Sequence, residues 1–193
     1  MANFVIAGDT SGTVTLQAPA VSGTTTLTLP TTSGTVLTSA SSVTTSQLPT
    51  GSVIQVVQAT YGTLATTSSA TLTATGLSAS ITPSSSSNKI LVCMNIQGCT
   101  KNNQNAGNAV WLSIYKNGSS LFSVCDLINY NGTTSVANSS VSSQYLDSPA
   151  TTSSTTYAIY FANSGNVASV AVNNYYGAQA YTNSTLTLME IKA

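Results

Sequence analysis

The chain has 193 residues with four basic and four acidic side chains, no histidine and no net charge at neutral pH. It therefore lacks the clustered Lys and Arg that attract nucleic acid or an anionic membrane surface, and no stretch reaches the roughly 18 apolar residues of a membrane span. Roughly a third of the residues are Ser or Thr. Because Thr packs well on a pleated surface, this composition predicts a hydroxyl-rich β structure rather than disorder.

The amino-terminal segment is repetitive, with Ser-Gly-Thr beginning at Ser11, Ser22 and Ser33. After each glycine, apolar or methyl-bearing positions alternate with polar ones, which predicts a turn followed by a short strand with one apolar face. One such strand cannot bury that face alone, so residues 1–40 are predicted to form an assembly arm that contacts other chains. The positions predicted to face other chains are Val14, Leu16, Leu27, Leu29 and Val36.

A Ser/Thr-rich linker, residues 41–51, ends in Pro-Thr-Gly, which is a turn signal. Residues 52–193 then show longer apolar runs with turn signals about every ten residues, and no helical period of useful length. This pattern is typical of an all-β sandwich, here predicted to be a jelly roll. The predicted strands are Val53–Thr60, Thr71–Thr75, Ala79–Thr82, Lys89–Gln97, Ala109–Lys116, Ser119–Ile128, Val141–Leu146, Tyr157–Asn163, Val167–Asn174 and Thr185–Ile191.

The strongest local signal is Asn117-Gly118 between two apolar runs, which predicts a two-residue β-hairpin turn. With that turn, Ile114 would lie opposite Leu121. Both faces of the strand pair are partly apolar, which predicts a central position in the sandwich, covered again by another subunit.

The chain offers few residues for catalysis. Without histidine it cannot form a Ser-His-Asp or Cys-His arrangement. A glycosidase-type carboxylate pair would have to use Asp126 and Asp147, whose ordinary interpretation is a strand-end and a turn aspartate. Metal binding is disfavoured by the same shortage of ligands. We therefore expect no enzymatic activity, no cofactor and no metal.

The three cysteines, Cys93, Cys99 and Cys125, are an odd number without a Cys-x-x-Cys pair. Cys93 lies in an apolar run and is predicted to be a buried thiol. The amino terminus lacks the basic start and long apolar run of a signal peptide. We therefore expect synthesis in a cytoplasm and cysteines without disulfides.

Tyrosine and asparagine cluster in two predicted loops, residues 129–131 and 173–176, with Tyr181 nearby. Tyr rings beside Asn amides can bind neutral sugars through stacking and paired hydrogen bonds. The alternative is that these tyrosines pack at sheet edges or subunit seams, as Tyr does at many interfaces. The candidate glycan contacts are Tyr130, Tyr175, Tyr176 and Tyr181.

Several short phrases follow one another along residues 51–191. They are GSVIQVV at 51–57, GLSASITP at 76–83, NKILV at 88–92, YLDSP at 145–149 and STLTLMEI at 184–191. In this order they resemble a family of bacteriophage virion proteins of the tail-fibre or head-decoration type, and the arm is similar to the virion-attaching segments of such proteins. The resemblance implies a trimeric, C1q/TNF-like jelly roll and supplies no catalytic residues.

These features together predict a non-enzymatic homotrimer on the surface of a phage particle. Residues 1–40 would attach it to capsid or tail proteins, and residues 52–193 would project outward. One interpretation is a capsid decoration protein of the cement or head-fibre type. The other is a short tail fibre or fibre tip that binds host surface glycan. The short chain, without a long shaft, favours decoration.

Overall fold

The computed structural model describes residues 3–7, 11–17, 23–24, 26, 31, 33, 42–101, 107–130, 137–165, 168–174 and 182–193. The chain divides into two units, Met1–Ser42 and Val43–Ala193. Each unit has its own sheet structure.

The first unit contains a small β-hairpin. Strand β1 (Asn3–Ala7) pairs antiparallel with β2 (Thr13–Gln17). Gly12 precedes β2 with a φ of +79°, a conformation that glycine adopts without strain. The strand predicted after the first repeat glycine is therefore present, whereas β1 was not predicted. The strands predicted after the other two repeat glycines fall largely outside the described residues.

The second unit is all-β in its described part, apart from one turn of 3-10 helix at Thr45–Gln47. Its strands are β3 (Val53–Tyr61), β4 (Ala65–Thr67), β5 (Thr73–Ile81), β6 (Lys89–Lys101), β7 (Val110–Lys116), β8 (Ser119–Ile128), β9 (Ala137–Asp147), β10 (Thr155–Asn163), β11 (Val170–Val172) and β12 (Ser184–Ile191). The expectation of an all-β chain is confirmed for these residues.

The strands form two antiparallel sheets that face each other as a β-sandwich. In the large sheet the order is β3-β12-β6-β11-β4, and β9 pairs with the other side of β6. Strand β6 has 13 residues, so β12 and β11 can pair with successive halves of its one edge. The small sheet has the order β5-β10-β7-β8. The chain crosses repeatedly from one sheet to the other.

Alternate residues of both sheets fill the space between them. Ile90, Val92 and Met94 on β6 are buried and belong to one hydrophobic cluster with Ile159 and Phe161 on β10. A fully buried side chain of this size contributes about 1.5–3 kcal/mol. This cluster is therefore the main source of stability in the second unit.

Strand β5 differs from the prediction. The predicted strands Thr71–Thr75 and Ala79–Thr82 are parts of one strand, because Gly76 forms a bulge instead of a turn. Its φ is +97°, and the pairing with β10 shifts beside it. A Cβ at this position would lie 2.4 Å from Cζ of Tyr61, so the site requires glycine.

The hairpin at Asn117-Gly118 is present, but the predicted register was wrong. Ile114 lies opposite Phe122 rather than Leu121, because the pairing shifts between Ile114 and its neighbour in β7. Such a β-bulge is not encoded by the turn residues themselves. The prediction that this strand pair is central in the sandwich was also wrong, since β8 is the edge strand of the small sheet.

The two ends of the sandwich are distinct. At the base end, where residues 43–52 join β3, the amide of Gly51 donates to Lys192 O at 2.8 Å, and the amide of Lys192 donates to Ser52 O at 2.9 Å. The turn between β7 and β8 is also at the base end. The connections β6–β7, β8–β9 and β11–β12 leave from the opposite end, the loop end.

Candidate functional site

Four apolar side chains cross the outer face of the large sheet in a single row. In the order of the strands β3, β12, β6 and β9, the paired residues are Val56, Met189, Leu91 and Leu146. These positions alternate with the core positions of their strands, so they face away from the small sheet. Val56 is 56% exposed and Leu146 is 48% exposed, while the two residues between them are half-buried. We call these four residues the apolar row.

The apolar surface extends toward the base end and stops toward the loop end. Val53, next to the row on β3, is 50% exposed and lies opposite Ile191. One step toward the loop end, Nε2 of Gln58 donates to Oγ1 of Thr187 at 2.9 Å, and the face becomes polar. The only charged side chain that the strand pairing places beside this apolar surface in the described residues is Lys89, opposite Ile191.

An ion pair between a half-buried lysine and a buried carboxylate ties the two sheets together at the base end. Both carboxylate oxygens of Asp147 on β9 accept hydrogen bonds from Nζ of Lys116 on β7 at 3.0 Å. The hydroxyl of Tyr157 on β10 donates to Oδ2 of the same carboxylate at 2.6 Å. Asp147 is only 5% exposed. Burial, the hydrogen bond and the charge of Asp147 raise the pKa of Tyr157 above its ordinary value, so its hydroxyl keeps its proton.

Glu190 is a second buried carboxylate, and neutral donors surround it. Its Oε1 accepts hydrogen bonds from the amide and the hydroxyl of Ser84, both at 2.7 Å, and from Nδ2 of Asn88 at 2.6 Å. Its Oε2 accepts from Nε2 of Gln55 at 2.6 Å. Burial alone would raise the pKa of Glu190, but these hydrogen bonds outweigh it and hold the pKa below its ordinary value. Glu190 is therefore ionised at neutral pH.

Both carboxylates are held by hydrogen bonds within the sandwich. All four carboxylate oxygen atoms of Asp147 and Glu190 accept at least one hydrogen bond. The side chain of Asp126, the other candidate of the carboxylate pair, is outside the described structure. Across the described ranges, no group of three or more His, Cys, Asp and Glu residues is placed to hold a metal ion. None of the described helices is long and apolar enough to cross a membrane.

Asparagine side chains fix the strand ends at the loop end. Nδ2 of Asn129 donates to Cys99 O at 2.6 Å, and Nδ2 of Asn174 donates to Oγ1 of Thr100 at 2.9 Å. Both hydrogen bonds hold the last residues of β6 in place. Directly after Asn129, Tyr130 is 53% exposed. The loop end therefore presents an exposed aromatic side chain beside a fixed backbone.

The predicted glycan contacts are only partly covered by the described structure. Tyr130 is at the surface, as that prediction requires. The other three candidates lie outside the described residues: Tyr175, Tyr176 and Tyr181. Whether the four tyrosines form one patch stays a prediction.

The structure likewise describes only some of the predicted arm contacts. Val14 and Leu16 lie on β2, where the backbone register sets them opposite Ile6 and Phe4 of β1. The remaining arm candidates lie outside the described residues: Leu27, Leu29 and Val36. Their contacts with other chains stay a prediction.

The cysteines do not occupy the predicted environments. Cys93 is half-buried on the outer face of the large sheet, because alternation in β6 turns it away from the core, so the expectation of a buried thiol was wrong. Cys99 is the buried thiol, and burial, with a further contribution from Cys125, raises its pKa to about 12. None of the three cysteines forms a disulfide in the structure.

The apolar row was not predicted from the sequence. The signal in the sequence was the run Ile90–Met94, in which consecutive residues are apolar and both faces of a strand must therefore be apolar. The row itself depends on the pairing of four strands that are distant in the chain, so its members could not be named before the register was known.

No protein-family model matches the chain, and no curated protein sequence matches it. Among solved structures, the chain is similar to the crystal structure of the infectious bursal disease virus VP2 subviral particle. The sequences are 18% identical over 72% of this chain, and the TM-score is 0.32. The chain spans 37% of the length of that VP2 chain. A likeness of this size assigns neither a fold nor a function.

Proposed function

We propose that this chain is a non-enzymatic structural protein of a bacteriophage particle. It is a homotrimeric capsid decoration protein of the cement or head-fibre type, attached through residues 1–40, with the sandwich projecting from the virion surface. The observation that carries the proposal is the apolar row, because a continuous exposed apolar surface is typical of a protein interface. A second copy of the chain is the partner that would cover it.

Association through the apolar row is energetically reasonable. Val56 and Leu146 are each about half exposed, and a fully buried side chain of this size contributes about 1.5–3 kcal/mol, so covering each adds roughly 1 kcal/mol. The surface has little charge, so identical copies meet without electrostatic repulsion. The hairpin of β1 and β2 supports the same view, since two strands alone are marginally stable in water.

The strand order supports the jelly-roll form of the sandwich. Without the short strands β4 and β11, the large sheet reads β3-β12-β6-β9 and the small sheet reads β5-β10-β7-β8. Numbered along the chain, these eight strands have the orders 1-8-3-6 and 2-7-4-5, which is the pairing of a double-sheet jelly roll. Jelly rolls are common in viral capsid proteins.

The oligomeric state tests this proposal directly. Size-exclusion chromatography with light scattering on the full chain should give three times the monomer mass of 19.6 kDa. Electron microscopy of intact particles should show copies dispersed over the shell. Deleting residues 1–40 should abolish attachment and leave the sandwich folded. A stable monomer, or normal decoration without the arm, would contradict the proposal.

The second candidate is a short tail fibre or fibre tip that binds host surface glycan. The observation in its favour is the exposure of Tyr130 at the loop end, away from the arm attachment at the base end. Copies located only at the tail tip by electron microscopy would support this candidate over decoration.

A further inference from the structure

The outer face of the small sheet carries three aromatic side chains. Trp111 and Tyr115 alternate with the core residues of β7, and Tyr160 alternates with those of β10, so all three face away from the large sheet. The rings of Tyr115 and Tyr160 are stacked, with centroids 3.8 Å apart and an interplanar angle of 11°. Nε1 of Trp111 donates to Oγ of Ser123 at 3.0 Å. The rings therefore have defined orientations on a solvent-facing surface.

A groove of about 270 Å³ lies beside Tyr160. Small residues create it, because Ala74 on β5 and Ala158 on β10 place no bulky side chain next to the ring. The hydroxyl groups of Ser78 and Thr156 line the same groove, and both residues are exposed. The groove thus combines an aromatic wall, a flat apolar floor and hydroxyl groups.

The groove is free of charge. All of its lining residues are apolar, glycine, serine, threonine or tyrosine. The nearest charged residue along the chain is Lys116, two residues before Gly118 of the lining, and both oxygens of Asp147 hold its ammonium group. A ligand with a net charge would gain no electrostatic partner here.

We propose that this groove binds a neutral saccharide. The carbon-bound hydrogens of a sugar ring pack against an aromatic face, whose π-system is electron-rich, and serine and threonine hydroxyls can donate to and accept from sugar hydroxyls. Tyr115 braces Tyr160 from one side, which keeps the ring in place when a ligand leaves. The volume is just below the range of about 300–1,000 Å³ for small-molecule sites, which suits a short stretch of a glycan chain.

The proposed groove is independent of the proposed trimer. All of its residues come from one chain, and it lies on the side of the sandwich opposite the apolar row. The contact that covers the row of one chain therefore does not itself cover the groove of that same chain. The site would add glycan binding to the particle surface whether the protein is on the head or on the tail.

Affinity electrophoresis of the full chain at about pH 9, where loss of the α-amino charge gives the protein a net negative charge, tests the proposal. The probes are gels containing dextran, mannan or galactan, with polygalacturonate as an anionic comparison. We expect retardation in at least one neutral gel. Tyr160→Ala should weaken the apparent affinity at least fivefold, and Ser78→Phe, which fills the groove from an exposed position, should do the same. Thr60→Phe places the same ring at an exposed position of the large sheet, outside the groove, and should leave the retardation unchanged.

The proposal is overturned if none of the neutral gels retards the protein, or if only polygalacturonate does. It is also overturned if Ser78→Phe binds normally, or if Thr60→Phe loses as much affinity as Ser78→Phe. Circular dichroism melting checks that each variant is folded, and Ser78→Phe decides the matter if Tyr160→Ala is not. Light scattering on the same samples separates the two proposals, since a monomer that is still retarded contradicts only the trimer.

Discussion

The two outer faces of the sandwich arise from the same alternation of residues, yet they expose different chemistry. The large sheet exposes aliphatic side chains such as Val56 and Leu146, which have no hydrogen-bonding groups. The small sheet exposes aromatic rings next to hydroxyls, as at Tyr160 and Ser78. An aliphatic surface is stabilised when another apolar surface covers it, whereas a ring beside hydroxyls can bind a polar ligand in water. The difference suits one face to a copy of the chain and the other to the solvent side.

The largest effect is expected where the two sheets are tied together, because both faces depend on a closed sandwich. Asp147→Ala would leave the ammonium group of Lys116 and the hydroxyl of Tyr157 without their buried partner. The free energy of unfolding, measured by urea denaturation, should fall by about 3 kcal/mol. Tyr157→Phe removes only one hydrogen bond and should cost about 1 kcal/mol. Equal losses in the two variants would mean that the ion pair contributes little.

The contrast between the faces is tested by placing the same charge on each. Leu91→Asp puts a carboxylate in the middle of the apolar row and should raise the dissociation constant of the oligomer at least about 100-fold, or about 2.8 kcal/mol. Ser120→Asp, on the small sheet, should leave that constant unchanged. Sedimentation velocity measures both. Alkylation of Cys93, which lies beside the row, should be faster in Leu91→Asp. Similar dissociation constants for the two variants would contradict the proposed difference between the two outer faces.

Low pH should destabilise the large sheet. Glu190, whose carboxylate is buried, lies on β12 of that sheet. The pKa of Glu190 in the folded chain is below that of an unfolded glutamate, about 4.3, so its hydrogen bonds add stability above that pH. This contribution is lost as the pH falls through the folded-state pKa. The melting temperature should decline below about pH 4, and Glu190→Gln should flatten that decline. An unchanged profile in the variant would exclude Glu190 as the cause.

The smallest effect is expected at the stacked tyrosines. Tyr115→Leu removes one ring of the pair and should lower the free energy of unfolding by about 0.5–1.5 kcal/mol. It should also weaken retardation by the neutral polysaccharide, because Tyr160 loses its support. Tyr130→Leu, at an exposed position without a stacked partner in the described structure, should change stability by less than about 0.5 kcal/mol. If Tyr115→Leu changed neither property, the stacked pair would not organise the groove.

Sequence patterns predicted the strands where apolar alternation is strong. Strands β3 and β12 begin and end within one residue of the predictions. The three-residue strands β4 and β11 are too short to carry a period, and neither was predicted with its observed bounds. The bulge at Gly76 lies in the gap between two predicted strands, because only pairing with β10 shows that the strand continues through this glycine.

The candidate surfaces were less predictable than the strands. The apolar row joins Val56 to Met189, and the stacked pair joins Tyr115 to Tyr160, so each depends on strand pairing between distant parts of the chain. Tyrosine-rich loops can be seen in a sequence, which is why Tyr130 was named and Tyr160 was not. A flat face made by several strands has no comparable signal in any single segment.

The hydrogen bonds at the base end also determine how an attached copy would bear mechanical load. With residues 1–40 fixed to a particle, a pull on the sandwich reaches it through the linker, where Nζ of Lys192 donates to Ser46 O at 3.2 Å and also to Leu48 O. Force must first open this clamp and the backbone bonds between Lys192 and residues 51–52. It can then peel the edge strand β3 from β12 one hydrogen bond at a time. The force that the attached protein withstands would therefore depend on the rate at which these few contacts open. It would depend much less on the equilibrium stability of the core.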